Sequence, residues 1–446
     1  MSRVIVLVGV IVLVALAASW LSGNPGNVTI EWLGWRADTS VTMLAFLVAL
    51  LTVLGAIGYR MWRAVLLAPG RFFQARRMRR RRRGYQALSS GMIAAAAGDT
   101  AEAQRQARKA ENLLEDASVT RLLRAEAAKL NGDASTARRT YEEMADNPET
   151  ALIGLRGLLD QADERGDRAE ALRLAEKAHR QHPKAQGIVR RLLDLQVEFG
   201  QWDAADRTLS EAVRYKTFPP SEAKRWRAAV LLERSRTADR DGEAAEALAL
   251  AKQAHQLDGA RVPVAVQFAG LLHAQGKTKR AQKVLEKIWQ LQPHPDIADA
   301  YGALFASDTD LARVKRYQRL LSFRPDHAEG HLALAQAALA AQLWGEARAH
   351  LGQASERGVT PRVCRMMAEL EEAEHEDGAA ARGWLERATT AEPDPAWVCD
   401  NCGAAAGEWT ARCGNCNTFD TLAWHPPLHT PRLTQDAPAP ALPASD

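Results

Sequence analysis

Not one acidic residue lies between Arg60 and Arg83, a stretch that carries ten arginines. No charge interrupts the two apolar runs before it, Val4 to Leu21 and Val41 to Tyr59. Cysteine is scarce too: of 446 residues only five are Cys, and four of them fall between positions 399 and 416. Several catalytic patterns are missing. There is no C-x-x-C-H haem attachment, because Gly403 follows Cys402. Gly276-Lys277-Thr278 does not complete a phosphate-binding loop, because Gly270 is one residue too far upstream and no strand precedes it. The glutamate of His327-Ala-Glu-Gly-His331 is misplaced for a metalloprotease. Cys364 stands alone in a helical segment and reads as a small packing residue. No nucleophile and base can be paired, so the chain reads as no enzyme.

The uncharged runs are 18 and 19 residues long, and at about 1.5 Å per residue each just crosses a hydrocarbon core of roughly 30 Å. Helices satisfy their own backbone groups in lipid. Arg3 before the first run and the arginine block after the second both favour the cytoplasmic side, which predicts an in-out-in hairpin. Ser22 to Ser40 is then the external segment. A cleaved signal peptide is the competing reading of the first run, since Arg3, an apolar stretch and the small cluster Ala15 to Ser19 imitate one; the second run would still anchor the chain. In the external segment Val28, Ile30 and Trp32 alternate with Thr29 and Glu31, and Leu33-Gly34 precedes Trp35, which predicts a short hairpin on the headgroups.

The formal net charge of +4 is misleading. Without the ten arginines, 48 basic residues face 54 acidic ones, so the remainder is acidic by about 6. Basic character concentrated beside a span meets anionic lipid, near Arg76 to Arg83, and does not describe a nucleic-acid surface.

From Gly84 to about Thr390 the chain is rich in helix formers and is punctuated at a fixed interval. Gly98, Gly132, Gly166 and Gly200 are each 34 residues apart, and after an interval of 42 so are Gly242 and Gly276. Five residues after each glycine comes an alanine: Ala103, Ala137, Ala171, Ala205, Ala247 and Ala281. This is the tetratricopeptide pattern of paired helices. The glycine accepts positive φ at the turn, and the alanine sits where two helices cross closely. Small residues recur seven positions further on (Ala110, Ala178, Ala212, Ala254, Ala354), two turns along the same face. Prolines 183 and 293 close pairs. Later repeats are weaker: Asp310 and Gln342 take the glycine position, Ala347 keeps the register and Gly378 resumes the punctuation. About nine pairs are expected, stacked around a groove lined by the first helix of each pair. The longer interval predicts a protruding loop near Lys216 to Ser221. Coiled coil fails, because the breakers recur too often for continuous heptads.

Cys399, Cys402, Cys413 and Cys416 read C-x2-C-x10-C-x2-C. Two such pairs on tight turns place four thiolates tetrahedrally around one Zn²⁺ at about 2.3 Å. Gly403, Gly414 and Asn417 supply the turns. A reducing cytoplasm argues against disulfides. Structural four-cysteine sites of this kind most often hold zinc, and a single iron is the alternative metal. Trp397, Phe419 and Trp424, with Trp409 beside them, make a small core. Six prolines among the last 21 residues mark a disordered tail.

The start Met1-Ser-Arg3, the segment Asn24-Pro-Gly-Asn-Val-Thr-Ile-Glu-Trp32, Asp38-Thr-Ser40, Ala68-Pro-Gly-Arg71 with its arginine run and the repeats behind it together resemble the HemY family of bacterial inner-membrane proteins of protohaem IX biogenesis. The resemblance covers roughly residues 1 to 390 and implies a scaffold in haem or porphyrin metabolism. The cysteine segment is similar to the metal-binding end of the lipopolysaccharide assembly protein LapB and to the zinc finger of the RadA repair ATPase. No phosphate-binding loop accompanies it, so the second likeness is local.

The expected architecture is all-α: a membrane hairpin over 1–83 with spans 4–21 and 41–59, a TPR-type α-solenoid over 84–392, a zinc-ribbon or rubredoxin-like knuckle over 393–425, and a tail over 426–446. The expected function is a two-span inner-membrane scaffold, both termini cytoplasmic, that gathers protein partners, by resemblance haem-pathway enzymes. A LapB-like scaffold of envelope assembly is the alternative. A haem or porphyrin carrier, with His331 or His350 as axial ligand, is a third.

Overall fold

A computed structural model of the full chain describes residues 12, 15–16, 19–20, 23, 26–32, 35–114, 117–375 and 378–427. Most of the first apolar run, the hairpin tip Leu33-Gly34 and residues 428–446 of the expected tail lie outside the described residues. The chain divides into two compact units, residues 1–133 and 134–446.

In the first unit, strands β1 (Asn27–Trp32) and β2 (Trp35–Ser40) pair antiparallel, from Asn27 opposite Ser40 to Trp32 opposite Trp35, as the alternation predicts. Ser40 ends the hairpin and caps the next helix, its hydroxyl accepting from the Met43 N–H at 3.3 Å. That helix, α1 (Val41–Ala96), has 56 residues, about 84 Å of continuous backbone helix. Its first 23 residues, Val41–Arg63, contain an 18-residue window with a mean hydropathy of 2.4, and none of the 23 is buried. Among the described residues this is the one helix long and apolar enough to cross a membrane. The arginine run continues the same helix without a break at 83, since arginine, alanine and leucine are all good helix formers.

Gly98 ends α1 at φ +76°, and its neighbour Asp99 caps α2 (Thr100–Leu113) by accepting from the Glu102 N–H at 3.0 Å. Helix α3 (Ala117–Leu130) completes the unit. Its core is made of small residues, Ala87, Ala94, Ala103, Ala107 and Ala110, around Leu88, Leu114 and Leu123. A Cβ on Gly91 would stand 2.6 Å from the Leu123 side chain, so the helices meet there because glycine leaves room.

The second unit opens with α4 (Ala134–Ala145). Seven helix pairs follow: α5 (Ala151–Glu164) with α6 (Arg168–Gln181), α7 (Gln186–Glu198) with α8 (Trp202–Tyr215), α9 (Pro220–Arg240) with α10 (Ala244–Leu257), α11 (Val262–Ala274) with α12 (Thr278–Leu291), α13 (Pro295–Ala303) with α14 (Asp310–Ser322), α15 (Ala328–Ala340) with α16 (Trp344–Arg357), and α17 (Pro361–His375) with α18 (Gly378–Thr390). Gly166, Gly200, Gly242 and Gly276 all turn at positive φ, between +65° and +83°. The alanines five residues on, from Ala137 to Ala347, are fully buried, and so are Ala178, Ala212 and Ala254. The punctuation therefore marks the turns and the crossings, as read from the sequence.

Three local expectations are corrected. Lys216 to Ser221 make no protruding loop: Lys216 adopts the left-handed conformation, Phe218 is buried edge-on against Trp226 at 5.0 Å, and Pro220 begins a helix of 21 residues. The extra residues lengthen α9 because proline suits a first helical turn and an aromatic pair anchors it. Asp310 is no turn residue but the first residue of α14, capped by Thr309; α13 has only nine residues, so this pair turns two residues early. Gly378 likewise opens α18, and residues 376–377 before it lie outside the described residues. Gln342, by contrast, occupies the glycine position and pays with φ +56°.

Beyond α18, strand β3 (Ala396–Cys399) lies between β4 (Ala405–Ala406) and β5 (Leu422–His425) in a small antiparallel sheet. Its apolar residues share one continuous core with helices α7 to α15, joining Trp397, Trp409 and Phe419 to Trp226, Trp289 and Tyr301.

Candidate metal centre and its seat on the repeats

The two cysteine pairs sit on turns of the same design. The Gly403 N–H donates to the Cys399 carbonyl at 2.8 Å and the Asn417 N–H to the Cys413 carbonyl at 2.9 Å, while the Cys399 and Cys413 N–H groups reach the carbonyls of Ala404 and Thr418. Gly403 and Asn417 hold φ +73° and +59°, the left-handed region that suits glycine and asparagine. Gly414 does not occupy that region, so the second turn rests on Asn417 alone.

These turns bring the Cys399, Cys402, Cys413 and Cys416 sulfurs within 4.8 Å of one another. Cys399 lies 3.6 Å from Cys416, and Cys402 lies 3.7 Å from Cys413. A tetrahedron with metal–sulfur bonds of about 2.3 Å has edges of about 3.8 Å, so the donor set matches a tetrahedral metal. The surroundings favour thiolate at two of the four, Cys416 and Cys399. Side-chain donors from Asn401 and Thr418 pull Cys416 down to about 5. Burial works against Cys399, but donors from Thr421 and from the backbone of residues 401 and 402 outweigh it and lower that thiol as well. Cys413 accepts from the Cys416 N–H, yet burial and the neighbouring thiols push it up to about 11. Four sulfurs this close cannot all ionise without a cation to compensate them. The cluster is thus a site that could hold a metal ion.

The seat of this knuckle was not readable from the sequence. The Asp420 side chain is 3% exposed and accepts from two arginines: Arg261 reaches Oδ1 at 2.6 Å and Arg225 reaches Oδ2 at 2.9 Å. Burial disfavours the Arg261 charge, but Asp420 and Asp258 more than compensate and raise its pKa. Arg236 and Arg261 lie over the Trp409 ring at 5.6 and 5.5 Å. Arg412 donates to the Glu198 carbonyl at 2.8 Å and to Asn417 Oδ1 at 2.6 Å, which ties the second turn to α7. His294, fully buried, packs between Trp397 at 5.1 Å and Trp424 at 4.1 Å. Asp394 accepts from the Arg362 N–H at 2.9 Å. Each of these contacts is made by the first helix of a pair or by its cap. The expected core of Trp397, Phe419 and Trp424 exists, but it is completed by the repeats. The interval between Asp420 and its partners carries no periodic signal, and His294 between two prolines gives only the hint of a helix start.

The remaining candidates lie apart. Cys364 is buried in α17 and burial raises its thiol, in keeping with a packing role. His331 Nε2 donates to the Pro325 carbonyl at 2.9 Å, which leaves Nδ1 to accept from His350 Nδ1 at 3.0 Å. Both ring nitrogens of His331 are therefore engaged, and burial lowers both histidines.

Residues 26–132 match the family model described as HemY protein N-terminus, and residues 164–230 and 240–304 match tetratricopeptide repeats. A protein of Magnetospirillum gryphiswaldense strain MSR-1, named probable magnetosome protein Mms48, is 30% identical over 433 residues, covering 95% of this chain and 93% of that protein. Among solved structures, Naa15/Naa10 bound to HypK-THB has a TM-score of 0.45 at 17% identity, covering 76% of this chain and 54% of that one. MamA (41-end) from Desulfovibrio magneticus RS-1 has a TM-score of 0.24 at 16% identity, covering 36% and 93%. On its N-terminal match and its full-length relative, the chain belongs to the HemY family of tetratricopeptide-repeat proteins.

Proposed function

We propose that this HemY-family chain is a two-span inner-membrane scaffold, with both termini in the cytoplasm, whose repeats gather protein partners at the membrane, by family resemblance enzymes of haem biosynthesis. The observation that carries the reading is the apolar first stretch of α1, none of it buried, which continues as one helix into the paired helices. Anchoring raises the local concentration of whatever the repeats bind. The layout is a hairpin over 1–83, repeats over 84–392, a metal knuckle over 393–425 and a tail over 426–446, with no catalytic residues.

Cys399, Cys402, Cys413 and Cys416 are proposed as the ligands of one structural Zn²⁺, with iron as the alternative metal. The sulfur spacing supports this, and all four positions are taken by protein, which suits a structural role. Such a metal contributes on the order of 10 kcal/mol to folding its segment.

Anionic lipid is the proposed neighbour of Arg76 to Arg83. Arg76 lies thirteen residues beyond Arg63, about 20 Å of helix, which exceeds the screening length of about 8 Å. Contact with headgroups therefore requires the axis to bend at Pro69-Gly70, where proline removes a helical hydrogen bond.

The test is affinity purification of the detergent-solubilised protein with and without the repeats. Haem-pathway enzymes recovered only with the intact array support the proposal. Recovery of envelope-assembly or proteolytic partners alone favours the LapB-like alternative, and recovery of magnetosome proteins favours the role that the Magnetospirillum relative's name suggests. A haem or porphyrin carrier is less favoured, because axial ligation by His331 would break one of its two hydrogen bonds. A Soret band appearing on haem addition and altered in His350→Ala would reinstate it.

A further inference from the structure

The first-helix face that a tetratricopeptide array offers to partners is already occupied over part of this chain. The occupant is the chain's own knuckle, which reaches from Glu198 in α7 to Arg362 in α17. We propose that metal in the four-cysteine cluster governs this occupancy, so that the face between residues 186 and 303 is closed while the metal is bound and opens when it is lost. The inference rests on the reading of that cluster as a metal site.

The groups that hold the knuckle down belong to its second turn and the strands around it. Arg412 immediately precedes Cys413, Asn417 immediately follows Cys416, and Asp420 follows within four residues. Asn417 and Asp420 both stand at positive φ, a region that asparagine and aspartate enter more readily than other residues with a Cβ but that still needs the surroundings to hold it. A segment of some thirty residues with so few strand pairs cannot supply that restraint from its own core. The metal supplies it by joining Cys413 and Cys416 to Cys399 and Cys402. Without it the second turn relaxes, Asp420 leaves Arg225 and Arg261, and Trp397 and Trp424 leave His294. What is then uncovered is a pair of converging guanidinium groups, Arg225 and Arg261, together with the His294 ring, a surface for a carboxylate.

His294 reports this directly, because it is fully buried beneath two tryptophans of the knuckle. The experiment is diethyl pyrocarbonate footprinting of the full-length protein in detergent, with zinc and iron measured in the same samples and helical circular dichroism as the control for folding. In the metal-loaded protein His294 is protected. Chelation increases its labelling rate at least tenfold, and added Zn²⁺ restores protection. Asp420→Ala separates docking from metal binding: it retains one metal per chain yet exposes His294 at least tenfold. Protection that survives complete metal removal, or that is unchanged in Asp420→Ala, overturns the proposal and leaves the metal reading standing. Protein that purifies with neither zinc nor iron removes both.

Discussion

His294 shows how one residue links the repeats to the knuckle. Its Nδ1 caps α13 by accepting from the Asp296 N–H at 3.1 Å, while its ring fills the space between Trp397 and Trp424. Burial, helped by the Arg362 charge, lowers its pKa from 6.5 to about 4. The unfolded chain then binds a proton more readily than the folded one, so stability is full above about 6.5 and declines as pH falls towards 4. His294→Asn keeps a capping oxygen and removes the titration. Chemical denaturation of both proteins in the same buffers should show the wild type losing about 1 kcal/mol more than the variant between about pH 7.5 and 5.5. Parallel pH dependence of the two would mean that His294 is not held neutral.

Backbone conformation gives a second residue-scale prediction of opposite sign at two equivalent turns. Gly166 sits at φ +71° with open space around an added Cβ, so Gly166→Ala costs only its backbone strain, about 1–2 kcal/mol. Gln342 already bears that strain at φ +56°, and Gln342→Gly should stabilise by up to about 1 kcal/mol. Urea midpoints check both; destabilisation by Gln342→Gly would mean that the side chain contributes more than the strain it causes.

At the scale of elements, what the sequence disclosed is what local chemistry enforces. Glycine at a left-handed turn and alanine at a close crossing are near-obligatory, so Gly98 to Gly276 and Ala103 to Ala347 located the helix pairs by themselves. The alternation from Val28 to Trp32 disclosed the hairpin in the same way, and cysteine spacing disclosed the cluster. Where several residue types can do one job the reading slipped: a 42-residue interval fits a loop or a longer helix, and only the packing of Phe218 on Trp226 decides for the helix. The knuckle's seat was illegible for another reason. Arg261 and Asp420 are 159 residues apart, and nothing in a chain with 58 basic and 54 acidic residues marks those two as partners. The single helix from Val41 to Ala96 adds a prediction at this scale. If Pro69 lets the polybasic segment fold down to the headgroups, Pro69→Ala should weaken sedimentation with phosphatidylglycerol vesicles, by about 1 kcal/mol for each arginine lifted away. Unchanged vesicle binding would show that the arginines serve another surface.

The whole molecule joins a helix long and apolar enough to cross a membrane, an array of paired helices and a four-cysteine cluster seated on part of that array. The central claim is that this array is held on the cytoplasmic side of the membrane, where ten arginines flank the span. Reporter fusions test it most directly, one placed in the β1–β2 hairpin and one just after Arg83, read with an enzyme active only outside the cytoplasm and another active only within it. An exported reporter at the hairpin and a cytoplasmic one after Arg83 are expected; export of the reporter after Arg83 rules this topology out.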